Sequence, residues 1–370
     1  MIEEQKNPDD ATVLPFPKLW PVLAGALLGL LLRLVFFGKA GAAYAPMMAS
    51  FIYPVPVLVG AVTVYLAERK RRRGWAYYFS AGFIANALFV LGTLVVMIEG
   101  LICAILIVPL FGILGGFGGL AMGAICRWTN WPRHAIYSVA ALPLLLGGLE
   151  QHLPLPERLH TVQLSRQIEA SPAQVWAQLH ETRDIRPDEV DQAWMYRIGV
   201  PLPLSGITEA TADGGHVRHV SMGKNIHFDQ LATDWQPERH VRWIYRFRPD
   251  SFPPHALDDH VMIGGQYFDL LDTEYTLTPT GSSATELSVS MRYRVSTQFN
   301  WYAEPIAQWL VGNLEQAFLG FYARRAEAAR QAQWRQPSPS IAPSPNSSAL
   351  EREARSMRVV PQPFHGTVEI

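Results

Sequence analysis

Cysteine is almost missing from this 370-residue chain: Cys103 and Cys126 are the only two, and both lie in or beside apolar runs. That excludes a disulfide framework and a thiolate metal site from everything that follows them. An excess of charge of either sign is missing as well. A net charge of −1 argues against a general nucleic-acid binder, which needs a basic surface to cover phosphates. The motifs of several chemistries are absent. There is no glycine-rich loop ending in Lys-Ser/Thr, no nucleophile elbow and no His-Glu-x-x-His helix. No cofactor is therefore expected. The first 18 residues are acidic and proline-broken, with neither a basic start nor a small-residue cleavage site, and are expected to form a polar tail rather than a cleaved leader.

What the chain has is apolar length. A helix needs about 20 apolar residues to cross the hydrocarbon of a bilayer. Helices are expected at Leu19–Phe37, Met47–Leu66, Trp75–Ile98 and Leu101–Ile125, with a weaker one at Ala135–Leu149. Residues 19–151 thus read as a transmembrane α-helical bundle of four or five helices, residues 157–334 as a soluble domain, and residues 335–370 as a disordered Pro/Ser-rich tail. Trp20, Trp75, Tyr77, Tyr78, Trp128 and Trp131 fall at the ends of the apolar runs, where interface anchors belong. The third and fourth helices, joined at Glu99-Gly100, should form a tight antiparallel hairpin. Gly112, Gly115, Gly116, Gly118, Gly119 and Gly123 suit close packing inside the bundle. Arg33 is expected to snorkel to the headgroups beside Lys39.

Orientation follows from Arg69, Lys70, Arg71, Arg72 and Arg73, a short basic loop of the kind retained on the cytoplasmic side, with Arg127 and Arg133 on that side too. The chain then sits in the cytoplasmic (inner) membrane of a bacterial cell. Its soluble domain is periplasmic if the fifth segment spans, and cytoplasmic if that segment lies along the interface.

The soluble domain opens at Thr161–Glu181. Val162, Leu164 and Ile168 give a half-buried strand; Ser171 is a natural N-cap, Pro172 suits the first helical position, and Gln174 stands where a capping box needs it. Val175, Trp176 and Leu179 form the helix's apolar face. The run Ile168-x-Ala170-Ser171-Pro172-x-x-Val175-Trp176 resembles the opening of START-like (SRPBCC, polyketide-cyclase-like) helix-grip domains, and the resemblance extends to a long closing helix. It implies a curved antiparallel sheet around that helix, an α+β domain, with a cavity for a lipid or another hydrophobic molecule between the two. Some relatives of this kind catalyse aromatic cyclisation or dehydration, but no working residue of theirs maps onto this chain.

Strands are expected at Ile207–Thr211, Val217–Met222, Ile226–Trp235, His240–Phe247, Tyr267–Thr278 and Glu286–Val295, separated by Asp213-Gly214-Gly215, Gln236–Arg239 and Thr280-Gly281-Ser282 turns. Alternation aims Val241, Trp243, Tyr245 and Phe247 inward, with Leu287, Val289, Met291, Tyr293 and Val295; Leu271, Tyr275 and Leu277 extend that face. The closing helix, Trp301–Gln333, sets Tyr302, Ile306, Trp309, Leu310, Leu314 and Phe318 at helical spacing. The candidate cavity lining is therefore Trp243, Tyr245, Phe247, Tyr275, Met291, Tyr293 and Trp309.

The longest connection, Arg248–Gln266, has the length of a lid, with His255, Asp259 and His260 in its body and Gly264-Gly265 as a pivot. His255-x-x-Asp258-Asp259-His260 matches no established ligand spacing, and a solvated acidic turn explains it; no metal is expected. His227 and Asp229 share a strand face that alternation turns outward, a surface pair rather than an acid/base pair. No catalytic constellation emerges. The partners expected are a lipid bilayer and a hydrophobic small molecule or lipid. The alternatives are an enzyme of the cyclase/dehydratase type acting on such a ligand, and a non-catalytic membrane assembly protein.

Overall fold

The computed structural model describes residues 16–39, 42–69, 71–129, 135–258, 260–281 and 283–335. The expectations for the N-terminal tail up to residue 15, for Lys70, Trp131, Arg133, Asp259 and Ser282, and for the tail from Gln336 lie outside these residues. The described residues up to Glu327 form one compact unit, and residues 328–335 continue its last helix.

The helical part comprises α1 (Phe16–Val35), α2 (Ala49–Ile52), α3 (Pro54–Glu68), α4 (Trp75–Val95), α5 (Leu101–Trp128) and α6 (Ala135–Glu150). Ala49–Glu68, Trp75–Val95 and Leu101–Trp128 are long and apolar enough to cross a membrane. The segment expected as one helix at Met47–Leu66 breaks at Tyr53, because Pro54 has no N–H to carry a helix through. The glycine runs do pack the bundle. A Cβ on Gly115 would lie 1.9 Å from Asn86 Nδ2, and one on Gly60 would lie 1.9 Å from the Gly115 carbonyl oxygen. Asn86 Nδ2 is held there by the carbonyls of Pro56 (3.1 Å) and Gly82 (2.9 Å).

The bundle has two distinct ends. At one, Glu68 accepts from Tyr78 Oη (2.9 Å), Arg127 Nε donates to the same phenol (3.2 Å), and Arg127 also reaches the Arg73 carbonyl (2.7 Å). Tyr78 is fully buried, not an interface anchor, because it is the hub of this network. At the other end Glu150 closes α6 by accepting from the N–H groups of Ala49 (2.6 Å) and Ser50 (2.7 Å) at the start of α2. The chain that left α5 at the basic end has thus returned to the opposite one.

There the second part begins: β1 (Arg158–Ile168), α7 (Pro172–His180), β2 (Glu181–Thr182), α8 (Pro187–Val190), α9 (Trp194–Arg197), β3 (Pro203–Ala210), β4 (His216–Met222), β5 (His227–Gln236), β6 (His240–Arg246), β7 (Phe268–Pro279), β8 (Thr285–Val295) and α10 (Asn300–Arg335). The capping box of α7 forms: Ser171 N donates to Gln174 Oε1 (3.0 Å) and Gln174 N to Ser171 Oγ (3.4 Å). The strands build one curved antiparallel sheet in the order β1-β8-β7-β6-β5-β4-β3-β2, and α10 fills its inner face, the helix-grip form. Val289, Met291, Tyr293 and Val295 all point into that core, as their alternation requires. Leu271 does not. A bulge between Leu270 and Asp272 shifts the parity of β7, so Leu270 takes the inward place instead.

Bundle packing gives a direct check. Gly115→Val should lower the thermal midpoint of the detergent-purified chain sharply, since the overpacked backbone has nowhere to move, at a cost of ~1–3 kcal/mol or more. Gly74→Ala, where a Cβ meets nothing within 4 Å, should leave it unchanged; equal midpoints for both variants would contradict the packing described.

Candidate functional site: a cavity shared by sheet and bundle

A cavity of ≈310 Å³ lies between sheet and α10 and continues into the end of the bundle. Its sheet wall includes Tyr245, Thr273, Tyr275 and Met291; its helix wall includes Ile306, Leu310, Leu314 and Phe318. Toward the bundle the wall passes to Phe89 and Val90 of α4 and to Leu106, Ile107 and Phe111 of α5. The lining is overwhelmingly apolar, as a site for a water-averse molecule should be.

The passage between the two halves is held by α10 and by the β6–β7 connection. Phe299, just before α10, is part of the bundle's apolar core. Tyr302 Oη donates to the Leu106 carbonyl (2.6 Å), and Trp301 Nε1 to Tyr53 Oη (2.7 Å). From the β6–β7 connection Asp258 accepts from Gly100 N (2.8 Å), while His260 Nε2 lies 3.5 Å from Glu99 Oε2. Glu99 in turn holds Arg33 Nη2 at 2.6 Å. Burial opposes charge on both partners of the Glu99–His260 pair, but their mutual attraction overrides it: the His260 pKa is raised and that of Glu99 lowered. Arg33, 4 % exposed, therefore does not snorkel, because a buried carboxylate satisfies it in place. Glu99, Asp258 and His260 bring one ligand atom each within 4.8 Å of one another. Arg33 already supplies a cation to Glu99, and Asp258 is committed to Gly100, so the cluster acts as a clasp.

Of the lining residues expected from sequence, Tyr245, Tyr275 and Met291 are on the cavity wall. Trp243 is fully buried but faces Trp235 (5.9 Å) and His180 (6.1 Å) in solid core beneath α7. Tyr293 is likewise buried away from the cavity, stacked on His160 (5.5 Å). Phe247 packs with Phe228 (5.6 Å) and Phe252 (5.4 Å) in a separate cluster. Trp309 is 54 % exposed. The inward stripe of α10 runs through Ile306, Leu310, Leu314 and Phe318, so Trp309, one residue off it, turns out to meet Trp194 (5.9 Å).

In the connection expected as a lid, His260 reaches the cavity; His255 adopts a positive φ (60°) away from it. Gly264 has φ +77°, and any Cβ there would strike the Phe247 ring at 2.6 Å. Arg294 fastens the proposed pivot by donating to the Gly265 and Gln266 carbonyls, both at 2.9 Å. His227 and Asp229 do share the outer face but form no pair. Asp229 is buried by Arg246 and Arg248 (2.9 Å each) and His219 (2.8 Å), while His227 faces Asp250. Burial would raise the Asp229 pKa, yet these donors bring it down to about 2.

Arg218, Gln230 and Tyr322, absent from the sequence-based candidates, form the polar end of the cavity. A signal for the first existed: Arg218, Val220 and Met222 share one parity of β4, and the two apolar residues mark that parity as inward. The bundle residues could not be found this way, since nothing local to them announces a partner more than a hundred residues later.

No family model matches the sequence, and no curated protein matches it. Solved structures resemble its second half. An aromatase/cyclase, Zhui, from Streptomyces sp. R1128 is 12% identical, over 48% of this chain and 98% of that one, with a TM-score of 0.31. A START superfamily protein from Mycobacterium smegmatis is 12% identical over 46% and 99%, at 0.32. A norcoclaurine synthase point mutant from Thalictrum flavum, bound to a transition-state analogue, is 13% identical over 48% and 99%, at 0.28. These are likenesses of shape; the helix-grip architecture rests on this chain's own strand order and closing helix.

One buried acid gives a measurable pH signature. Glu315 on α10 is fully buried; Oε1 accepts from Met291 N (2.9 Å) and Oε2 has no partner. Burial pushes its pKa from 4.5 to about 8. The folded protein therefore keeps a proton that the unfolded chain releases, and stability should fall as pH rises from about 4.5 to about 8. Glu315→Gln should flatten that slope, by at most ~1.4 kcal/mol per pH unit. Chemical denaturation across this range checks it; parallel curves for the two proteins would contradict the assignment.

Proposed function

We propose that this chain is a membrane-anchored binding protein that takes a hydrophobic, lipid-like molecule from the bilayer into a helix-grip cavity. The observation that carries this reading is the continuity of the ≈310 Å³ cavity from the bundle to the sheet interior. A molecule that dissolves poorly in water gains from such a route, because its apolar surface need never be hydrated in transit; each CH₂ kept dry saves ~0.8 kcal/mol. The three long apolar helices supply the anchoring. On this reading the basic end of the bundle faces the cytoplasm. The sheet, held at the opposite end through Glu99 and Tyr53, is then periplasmic, and α6 is a crossing segment.

The test is native mass spectrometry of the full chain released from detergent, with lipid extraction of the same sample. The expected result is a stoichiometric co-purified amphipath. Leu310→Trp and Met291→Trp, which fill the cavity from opposite walls, should each reduce its occupancy by roughly tenfold while the fold persists. A uniformly empty wild-type chain would sink the proposal.

A further inference from the structure

The polar end of the cavity says what kind of molecule it receives. Arg218 projects inward from β4 and is 6 % exposed. Its guanidinium offers five donors. Nη2 donates to Tyr322 Oη (3.1 Å), while Nε has no partner. The site is made for it: a Cβ on Gly206 would lie 2.6 Å from that Nε, so glycine leaves the space the guanidinium occupies. Opposite Arg218 in the β4–β5 register stands Gln230, buried, whose Oε1 is also unpartnered.

The groups facing Arg218 from the surrounding elements are Gln230 of β5, Tyr245 of β6, Tyr275 of β7, Tyr322 of α10 and His180 of α7. None of them is a carboxylate, and among the described residues no acid pairs with Arg218. Burial raises the phenol pKa values of Tyr245 and Tyr275, so neither supplies a negative charge at neutral pH. The acids of this sheet lie on its other face, where Asp229 and Asp272 are already held by arginines. A buried cation without a counter-ion is costly, and the cost is removed when an anion arrives with the guest.

Resting on the reading given under Proposed function, we propose that the guest is an amphipath with an acidic head, a carboxylate or a phosphate ester, seated on Arg218 with its apolar tail directed along the cavity toward the bundle. The planar guanidinium suits two oxygens of such a head, which a neutral ester or alcohol cannot match in charge.

The experiment uses the full chain in detergent and three radiolabelled probes: oleate, phosphatidylglycerol and diacylglycerol. At least one of the two acids should bind, and diacylglycerol should bind at least tenfold more weakly. Oleate alone means a free carboxylate head, and phosphatidylglycerol alone a phosphodiester head. Arg218→Gln should weaken acid binding by roughly ten- to a hundredfold, and Arg218→Lys by less, with diacylglycerol unaffected by either. Arg218→Met controls for folding: removing an unpaired buried charge should leave the thermal midpoint of the ligand-free chain equal or higher. If Arg218→Gln does not fold, the wild-type preference among heads and the Lys variant still decide. Equal wild-type binding of diacylglycerol and the acids, or acid binding indifferent to Arg218, overturns the inference while leaving a lipid-binding cavity intact. If no probe binds at all, the parent reading fails with it.

Discussion

Everything distinctive in this molecule depends on the joint between α10 and the end of the bundle. Phe299 inserts into the bundle core, and the next turn fastens itself with Tyr302 on the Leu106 carbonyl and Trp301 on Tyr53. The Arg33–Glu99–His260 clasp secures the opposite side of the same mouth. A buried ionic group is expensive to leave half-paired, so losing one member of such a clasp typically costs ~3–5 kcal/mol. In this placement of sheet on bundle all three charges are satisfied at once, and displacing one partner leaves the others unpaired. Two apolar interiors, each of which would otherwise need its own closure, then share a single one.

The charge distribution follows the same logic. The buried acids of the sheet sit on its outer face, each paired with arginines there. Asp272 is held by Arg242 (3.1 Å) and Arg292 (2.5 Å), and Asp229 by Arg246 and Arg248. These pairs neutralise each other and leave the inner face free of competing carboxylates. His180, pushed down to about 3 by burial with Arg218 adding to the effect, stays neutral in the core below α7. Among the described residues Arg218 is thus the one buried arginine of the sheet, and its compensation has to come from elsewhere. Its environment is otherwise phenols, an amide and hydrocarbon.

Much of the architecture was legible because it is local. The capping box at Ser171, the strict alternation of β8 and the long apolar runs of α4 and α5 each declare themselves within one continuous stretch of sequence. What failed was set by non-local geometry. The bulge in β7 exchanged Leu270 for Leu271, and the helical phase of α10, whose inward stripe runs through Ile306, Leu310 and Leu314, left Trp309 outward. Alternation rightly aims Trp243 and Tyr293 inward, but large rings at inward positions fill a core as readily as they line a hollow. The clasp was illegible for another reason. Arg33, Glu99 and His260 are spread over more than two hundred residues, and no spacing rule connects them.

The central claim is that one hollow runs unbroken from the bundle to Arg218. Cryo-electron microscopy of the full chain in lipid nanodiscs tests it most directly. The expected map shows elongated non-protein density beginning beside Phe111 and Leu106, passing Tyr302 and ending at Arg218. A map in which side chains close the passage at Phe299 and Tyr302, with the sheet interior sealed and solidly filled, would contradict the account.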